Sequence, residues 1–300
     1  MQKDLLHFSI IEAMGDAIHV VDRDFRIILV NSAFTASCQK AGLDVEPVGK
    51  HLFEVFPFLT DSVKKELEHV FASGETMVTC EKTLIDGKLY YTETRKIPIM
   101  EGDEVVNIIT ILRDINSQIE REQQHQEHLE LLENLGRVDS VIREANDAED
   151  LMERVIAETY EIFGCDRAWL LFPCDVNSES FTILVEMSNQ KFPSCKDKTF
   201  PRDGQLQLNI ERALATNGPV LASISSEVPV AQIAAREFFV QSEMYMALYP
   251  RRGQPWLFGL HQCSYERSWT AADKNLFNEI GHRLTDSLSS MLLLKDLRAS

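Results

Sequence analysis

The N-terminal part of the chain combines β-branched runs with one stretch of helical period. Residues 18–30 are β-branched runs on either side of the polar turn Asp22-Arg23-Asp24, which predicts a hairpin. A helix is predicted from Asp61, a candidate N-cap, to Gly74, where it would stop. Three further β-rich runs follow, at Met77–Lys82, Tyr90–Pro98 and Val105–Arg113. The pattern predicts an antiparallel sheet with helices between its second and third strands.

Residues 117–146 form the first of two long predicted helices. The segment has no proline and one glycine, Gly136, and acidic residues dominate its charge. Its apolar positions are spaced by four and three residues, the period of 3.5 that a coiled coil requires. They are Leu131, Leu135, Val138, Ile142 and Ala145.

The following segment mixes strands and helices. Asp147 is predicted to cap a helix that ends at Gly164. Strands are predicted at Ala168–Phe172, Phe181–Met187, Val220–Ala222, Met244–Tyr249 and Trp256–Cys263, and helices near Leu208–Thr216 and Val230–Phe239. Residues 188–205 are expected to be irregular.

A second long helix is predicted from Thr270 to the end of the chain, spanning about 28 residues, or near 40 Å. Its apolar positions step by three and four: Phe277, Ile280, Leu284, Ser287, Met291 and Leu294. Such a helix is longer than a small domain needs. The two seams therefore predict a parallel homodimer through helices 117–146 and 270–298.

Composition and charge narrow the class of protein. The 300 residues are 44% hydrophobic and 26% charged, which is typical of a soluble globular chain of two domains. The net charge of −17 repels phosphates and anionic lipids, so neither nucleic acid nor membrane is expected as a partner. No apolar run approaches the length of a membrane span, and the first residues lack the features of a signal peptide. We expect a cytoplasmic protein.

The cysteines and histidines form no metal-binding spacing. The six cysteines include no CxxC pair, and the eight histidines are equally dispersed. We expect reduced thiols that are mostly structural. Cys195 is the candidate reactive thiol, because the neighbouring Lys196 and Lys198 would favour its thiolate form.

Residues 8–116 resemble a PAS domain. The runs Ile18–Asp22 and Ile27–Val30 are similar to its first two strands. Asn31-Ser32-Ala33-Phe34 matches the Asn-x-Ala-Phe that opens its first helix, and Arg113-Asp114-Ile115-Asn116 is similar to its terminal Asp-Ile-Thr motif. The resemblance implies a sensory module that binds a small molecule or cofactor.

Residues 147–300 resemble a GAF domain, most closely those of microbial sensor histidine kinases. The similar runs are Cys165–Leu171, Pro255–Ser264 and Trp269-Thr270. The two resemblances together imply an α+β chain of two domains, each an antiparallel sheet with flanking helices, joined by the helix 117–146. Both families transmit conformational change to an output through helices.

The candidate binding site lies on the last predicted strand. His261, Cys263, Leu257 and Gly259 alternate with their neighbours and so share one face of that strand. Tyr245 and Tyr249 on the neighbouring strand are expected to close one side. A glycine beside two potential ligands leaves room for a flat molecule, so His261 is the candidate axial ligand of a haem iron and Cys263 a candidate redox thiol. The alternative is a hydrogen-bonded core histidine and a core cysteine. This face should lie opposite the one covered by the terminal helix.

Other candidates are weaker. His69 lies about 200° around its helix from Leu67 and should face solvent, whereas the orientation of His19 is ambiguous. Cys38 lacks the Asn-Cys-Arg-Phe context of photoactive flavin domains, and the Cys-His dipeptide of many bilin-binding GAF domains is absent. His282 lacks the proline of a histidine-kinase phosphoacceptor motif, and no ATP-binding loop follows it.

The sequence thus predicts a non-enzymatic sensory module that binds a small molecule and signals through dimeric helices. The expected output is a histidine kinase or a response regulator. The alternatives are a haem or redox sensor that uses His261, the regulatory front of a histidine kinase whose catalytic part is absent, and a scaffold without a ligand.

Overall fold

The structure is a computed structural model that describes residues 9–43, 46–85, 87–201 and 204–299. The side chains of residues 85, 88, 201 and 294–299 lie outside this description. The chain divides into two compact units, Met1–Gln124 and His125–Ser300. Residue 8, the predicted start of the first domain, lies outside the described residues.

A five-stranded antiparallel sheet forms the first unit. Its strands are β1 (Ala17–Asp22), β2 (Ile27–Val30), β3 (Met77–Ile85), β4 (Lys88–Glu101) and β5 (Glu104–Asp114). Their spatial order is β2-β1-β5-β4-β3. The predicted hairpin is β1–β2, in which Phe25 adopts a left-handed φ of 56° at the turn.

Three helices of the first unit lie between β2 and β3 in the chain. They are α1 (Ser32–Lys40), α2 (Leu52–Val55) and α3 (Asp61–Ser73). Asn31 caps α1, because its side chain accepts a hydrogen bond from the amide of Phe34 at 2.9 Å. Gly74 ends α3 in a left-handed conformation, as expected. Phe34, Phe56, Leu67 and Val70 from these helices are buried in a cluster with Val21 and Ile108 of the sheet.

A six-stranded antiparallel sheet forms the second unit. Its strands are β6 (Arg167–Phe172), β7 (Ser180–Ser188), β8 (Thr199–Pro201), β9 (Val220–Ser223), β10 (Ser242–Leu248) and β11 (Trp256–Gln262). They are ordered β8-β7-β6-β11-β10-β9. Strand β8 lies in the stretch predicted to be irregular. A three-residue strand carries too little period to be recognised in the sequence.

Helices flank both faces of the second sheet. They are α4 (Asn116–Glu144), α5 (Ala148–Phe163), α6 (Gly204–Ala215), α7 (Gln232–Glu237) and α8 (Ala271–Ala299). Asp147 caps α5 by accepting hydrogen bonds from the amides of Glu149 and Asp150. Thr270 and Asp273 bond reciprocally at the start of α8, the predicted capping box.

The two heptad seams pack inside the second unit itself. Leu135 and Val138 of α4 and Phe277, Ile280 and Leu284 of α8 are buried in one cluster with α5 and one face of the sheet. Partly buried Leu131, Ile142, Ala145 and Met291 pack against the same cluster. The Arg283 guanidinium reaches Asp139 at 2.9 Å, linking α8 to α4. The seam residues in this cluster therefore have partners within the chain, and a dimer through helices 117–146 and 270–298 stays a prediction.

The predicted fold class is confirmed: the chain is α+β, with two antiparallel sheets flanked by helices. The division of the chain differs from the predicted boundaries at 116 and 147. The boundary between the two units lies within α4, between Gln124 and His125, and the helix from His125 onward belongs to the second unit. Within the described residues, no helix has both the length and the apolar composition needed to cross a bilayer.

The seam packing makes a testable prediction about Leu284, whose side chain is fully buried. Leu284→Ala should lower the free energy of unfolding of the second unit by about 2–5 kcal/mol, since it leaves a cavity. Urea unfolding followed by tryptophan fluorescence measures this, because Trp169, Trp256 and Trp269 all lie in that unit. The control is Leu132→Ala, a position 53% exposed on α4, which should change stability by about 0.5 kcal/mol or less. Unchanged stability combined with dissociation of a dimer in sedimentation would restore the coiled-coil interpretation.

Candidate functional site

His261 lies where the sequence analysis predicts, on the sheet face opposite α8. Leu257 of β11, Tyr245 of β10 and Trp169 of β6 lie in the cluster on this face. Phe258 and Leu260 of β11 lie in the cluster with α8. The pairing of β11 with β10 brings Glu243 directly opposite His261, and the pairing with β6 brings Arg167 opposite it on the other side.

Both ring nitrogens of His261 face ionisable side chains. Nδ1 lies 3.0 Å from the Arg167 guanidinium and Nε2 lies 3.4 Å from a carboxylate oxygen of Glu243. Because a guanidinium can only donate, Nδ1 accepts, and the proton of the neutral ring is assigned to Nε2. Arg167 also donates to the carbonyl of Pro193 at 2.6 Å and lies 3.6 Å from Glu186.

Burial sets the protonation of this network. It lowers the pKa of His261 well below its usual value, and the Arg167 charge acts in the same direction. Burial also raises the pKa of Glu243 to about 8, against a smaller opposing effect of the Asn209 hydrogen bond. At neutral pH His261 is therefore neutral, and the protonated form of Glu243 is favoured.

The cavity beside His261 does not fit a haem. Its volume is about 50 Å³, well below the roughly 150 Å³ of a cavity that takes a single benzene ring. The indole of Trp169 fills the space that Gly259 leaves: a Cβ at Gly259 would lie 2.2 Å from that ring. Neither nitrogen of His261 is free for an iron. The expectation of His261 as a metal or haem ligand is corrected. Trp169 occupies the space that a haem would need, and the lone pair of Nδ1 accepts a hydrogen bond from Arg167.

The other predicted site residues divide into two groups. Leu257 and Tyr245 line the small cavity, and the hydroxyl of Tyr245 is buried without a hydrogen-bond partner. Cys263 is buried in the same hydrophobic cluster but does not line the cavity. Tyr249 is 51% exposed, and its hydroxyl donates to the carbonyl of Leu214 at 3.2 Å. Tyr249, just beyond the end of β10, does not line the cavity, so its expected place beside His261 is corrected.

The prediction of a reactive Cys195 is not supported. Its side chain is buried, and burial raises the pKa of its thiol to about 12 despite the nearby charges of Arg167 and Lys198. His69 and His282 are exposed, as expected for His69. In the described parts of the chain, no three metal-binding side chains come together.

A larger cavity lies in the first unit, between its sheet and its helices, and the sequence analysis did not place a site there. Its volume is about 230 Å³. The helical wall is apolar and aromatic, with Phe34, Phe56, Phe58, Leu59 and Leu67. The sheet wall is polar, with His19, Thr92, Thr94, Lys96 and Thr110.

Three polar atoms of the sheet wall are buried without a hydrogen-bond partner: Nδ1 of His19 and the hydroxyls of Thr94 and Thr110. The strand register places His19 opposite Thr110 and Thr110 opposite Lys96, and Thr94 lies two residues before Lys96 on β4. These side chains form a polar row across β1, β5 and β4. Burial, and secondarily the Lys96 charge, lowers the pKa of His19 to about 3. An unpartnered buried polar group costs about 1–3 kcal/mol, so this row is incomplete without water or a ligand.

Lys96 is buried in the same wall, and carboxylates surround it. Its ammonium donates to Glu66 at 2.7 Å and to Glu81 at 3.0 Å, and the hydroxyl of Thr79 lies at 3.5 Å. Only 1% of the Lys96 side chain is exposed. Its three donors are therefore all directed at protein atoms.

A sequence signal for this site existed. Thr92, Thr94 and Lys96 alternate along β4 on the face that packs against the helices, where an ordinary core strand carries apolar side chains. His19 is likewise a polar residue on the face of β1 that packs against the helices. Its inward orientation resolves the ambiguity of the sequence analysis, and its ring packs against Phe34 with the centroids 5.0 Å apart.

The sequence model of a family described as PAS fold matches residues 11–120. This match confirms the resemblance to a PAS domain, and it contains every residue that lines the larger cavity. The bounds 8–116 stay a prediction. No curated protein matches the chain.

Solved structures show distant likenesses. The phycoerythrobilin-bound GAF domain of a cyanobacterial phytochrome is 16% identical and covers 56% of this chain and 99% of its own, with a TM-score of 0.47. The wild-type chromophore-binding domain of Stigmatella aurantiaca phytochrome P1 is 16% identical over 90% of this chain and 93% of its own, with a TM-score of 0.43. The photosensory core module of a phytochrome from the same organism is 15% identical, with a TM-score of 0.46, and this chain covers 59% of it.

The protonation of Glu243 predicts a pH dependence of stability. Because its pKa is higher in the folded state, the folded chain binds this proton more tightly, and stability falls as the pH rises toward 8. Between pH 6.5 and 8 the loss should be up to about 2 kcal/mol. This window avoids His261, whose lowered pKa has the opposite effect below pH 6.5.

Urea unfolding at pH 6.5 and pH 8, followed by tryptophan fluorescence, measures the loss. Glu243→Gln should remove most of it, because an amide carries no proton to lose. The matched control is Glu179→Gln at an exposed position, which should keep the wild-type dependence. If Glu243→Gln keeps the full dependence, the group responsible is a different one.

Proposed function

We propose that the first unit is a small-molecule sensor whose ligand binds in the 230 Å³ cavity between its sheet and its helices. The observation that carries the proposal is the row of three buried, unpartnered polar atoms on the cavity wall. Native structures leave few such groups unpaired, and a bound molecule supplies the missing partners. The PAS fold of residues 11–120 supports the same proposal.

The cavity adjoins the start of α4, which offers a route for the signal. Asp114 lines the cavity, and its carboxylate accepts two hydrogen bonds from Asn116, the first residue of α4, at 2.8 and 2.9 Å. The side chain of Asn116 in turn accepts from the amide of Tyr91 at 3.1 Å. A ligand that moves Asp114 or the strand at Tyr90–Thr92 therefore changes the hydrogen bonds at the start of α4.

The output and the oligomeric state extend this proposal. The resemblances favour a histidine kinase or a response regulator as the recipient of the signal, and a homodimer of this chain as its carrier. Because the heptad seams are buried, a dimer through α4 would use its exposed side, where Leu129 and Leu132 are 45% and 53% exposed. The acidic composition supports a cytoplasmic sensor that binds neither nucleic acid nor membrane.

A bilin or haem in the second unit is the less favoured function. The solved structures above include a phycoerythrobilin-bound domain, but the second unit of this chain has a cavity of about 50 Å³ beside His261. A tetrapyrrole does not fit there unless the packing of Trp169 and Phe238 opens.

A cavity-filling variant tests the proposal. A fragment library is screened against the full chain by ligand-observed NMR, and hydrogen exchange is measured with each bound molecule. Ala17→Leu should abolish binding, because Ala17 lines the cavity and the larger side chain occupies it. Bound molecules should slow exchange at Ile115 and Asn116 in the wild type.

The matched control is Ala72→Leu, the same substitution at an exposed position of α3 outside the cavity lining. It should bind like the wild type. Circular dichroism confirms that both variants are folded. The proposal fails if every molecule that binds the wild type binds the Ala17→Leu variant equally strongly, because none of them would then occupy the cavity.

A further inference from the structure

The sheet wall of the first-unit cavity selects the charge of its ligand. Lys96 is the one fully buried cation there, and its three donors already reach Glu66, Glu81 and Thr79. The cluster of one ammonium and two carboxylates carries one net negative charge. Asp114 adds a further carboxylate to the lining, whereas Lys40 lies exposed at its edge.

Nothing else on this wall attracts an anion. His19 stays neutral, because burial and the Lys96 charge hold its pKa at about 3. The desolvation of an unpaired carboxylate in such a site is costly. The buried hydrogen-bonding atoms without a partner are the neutral groups of His19, Thr94 and Thr110. Each threonine hydroxyl can both donate and accept.

The opposite wall selects the shape of the ligand. Phe34, Phe56, Phe58, Leu59, Val63 and Leu67 present rings and branched chains to the cavity. Phe56 packs edge-on against both Phe34 and Phe58, with centroids 5.8 and 6.0 Å apart. Such a wall favours a flat apolar surface.

Volume limits the number of rings. A dry cavity of roughly 150 Å³ lined by apolar side chains takes benzene, and the cavity here measures about 230 Å³. One or two fused rings therefore fit, whereas a tricyclic flavin or a tetrapyrrole does not.

We propose that the first unit binds a neutral aromatic molecule of one or two rings, with its flat body against the phenylalanines and one edge that both donates and accepts hydrogen bonds to Thr94, Thr110 and His19. The proposal rests on the proposed function of this cavity and names the ligand class. A lactam or a hydroxylated heteroaromatic ring has such an edge, and a carboxylate does not.

Three probes of similar size separate the contribution of a hydrogen-bonding edge from that of charge. Quinolin-2-one has a neutral lactam edge, naphthalene has no such edge, and 2-naphthoate carries a negative charge. Their affinities for the full chain are measured by fluorescence titration or calorimetry. Quinolin-2-one should bind about tenfold more tightly than naphthalene, the equivalent of one or two hydrogen bonds. 2-Naphthoate should bind at least about tenfold more weakly than quinolin-2-one, because its charge lacks a partner.

Near-isosteric variants assign the selectivity to the polar row. Thr94→Val and Thr110→Val should each reduce the affinity for quinolin-2-one several-fold and leave naphthalene unchanged. The control is Thr60→Val, at an exposed threonine outside the cavity lining. It should leave the affinities for quinolin-2-one and for naphthalene unchanged. These substitutions remove unpartnered hydroxyls, so the folded structure should tolerate them.

The outcomes distinguish this inference from the function on which it rests. Tight binding of 2-naphthoate, equal binding of naphthalene and quinolin-2-one, or binding of none of the three overturns the ligand class. If other molecules nevertheless bind in a way that Ala17→Leu abolishes, the cavity remains a sensor site for a different class. If no molecule of any class does so, the proposed function itself fails.

Discussion

A polar atom that is buried without a partner has to be matched by protein, water or ligand, and the two units differ in the room that they leave beside such atoms. Each sheet carries polar side chains on a face that is covered by helices and loops. In the first unit, His19, Thr94 and Thr110 remain unpaired beside a cavity of about 230 Å³. In the second, the indole nitrogen of Trp169 and the hydroxyl of Tyr245 are also unpaired, but the cavity beside them is only about 50 Å³. Of these two cavities, the one in the first unit combines unpaired polar atoms with room for one or two aromatic rings.

In the second unit, protein side chains and a backbone carbonyl contact the buried polar groups around His261. Arg167 reaches across from β6 to His261 and also binds the carbonyl of Pro193, while Glu243 faces the other ring nitrogen. Phe238 covers the guanidinium with its ring centroid 5.7 Å away, and Trp169 occupies the space beside Gly259. Because these side chains fill the site and engage both ring nitrogens of His261, the site is closer to a packed polar core than to a ligand pocket, and we predict that its stability depends on the proton of Glu243.

Sequence reasoning predicted elements well where a local period defines them, as in the helix that ends at Gly74 and the caps at Asp147 and Thr270. It also predicted the correct face for His261, because strand alternation is local. It failed where the role of a residue depends on which other element packs against it. The heptad spacing of Leu135 and Leu284 is the same whether a helix packs on its own domain or on a second copy. Arg167 and Trp169 reach His261 and Gly259 only through strand register, which one strand does not encode. The polar inward positions Thr94 and Lys96 were visible, but their significance depends on the helices that cover them.

Methyl NMR of the full chain, during titration with neutral aromatic molecules, tests most directly which unit binds the ligand. The methyl groups of Thr94 and Thr110 line the larger cavity, and those of Ile183 and Leu257 line the smaller one. The account predicts saturable shifts at Thr94 and Thr110, with Ile183 and Leu257 unchanged. Shifts confined to Ile183 and Leu257 would contradict it, because they would place the ligand beside His261 in the second unit.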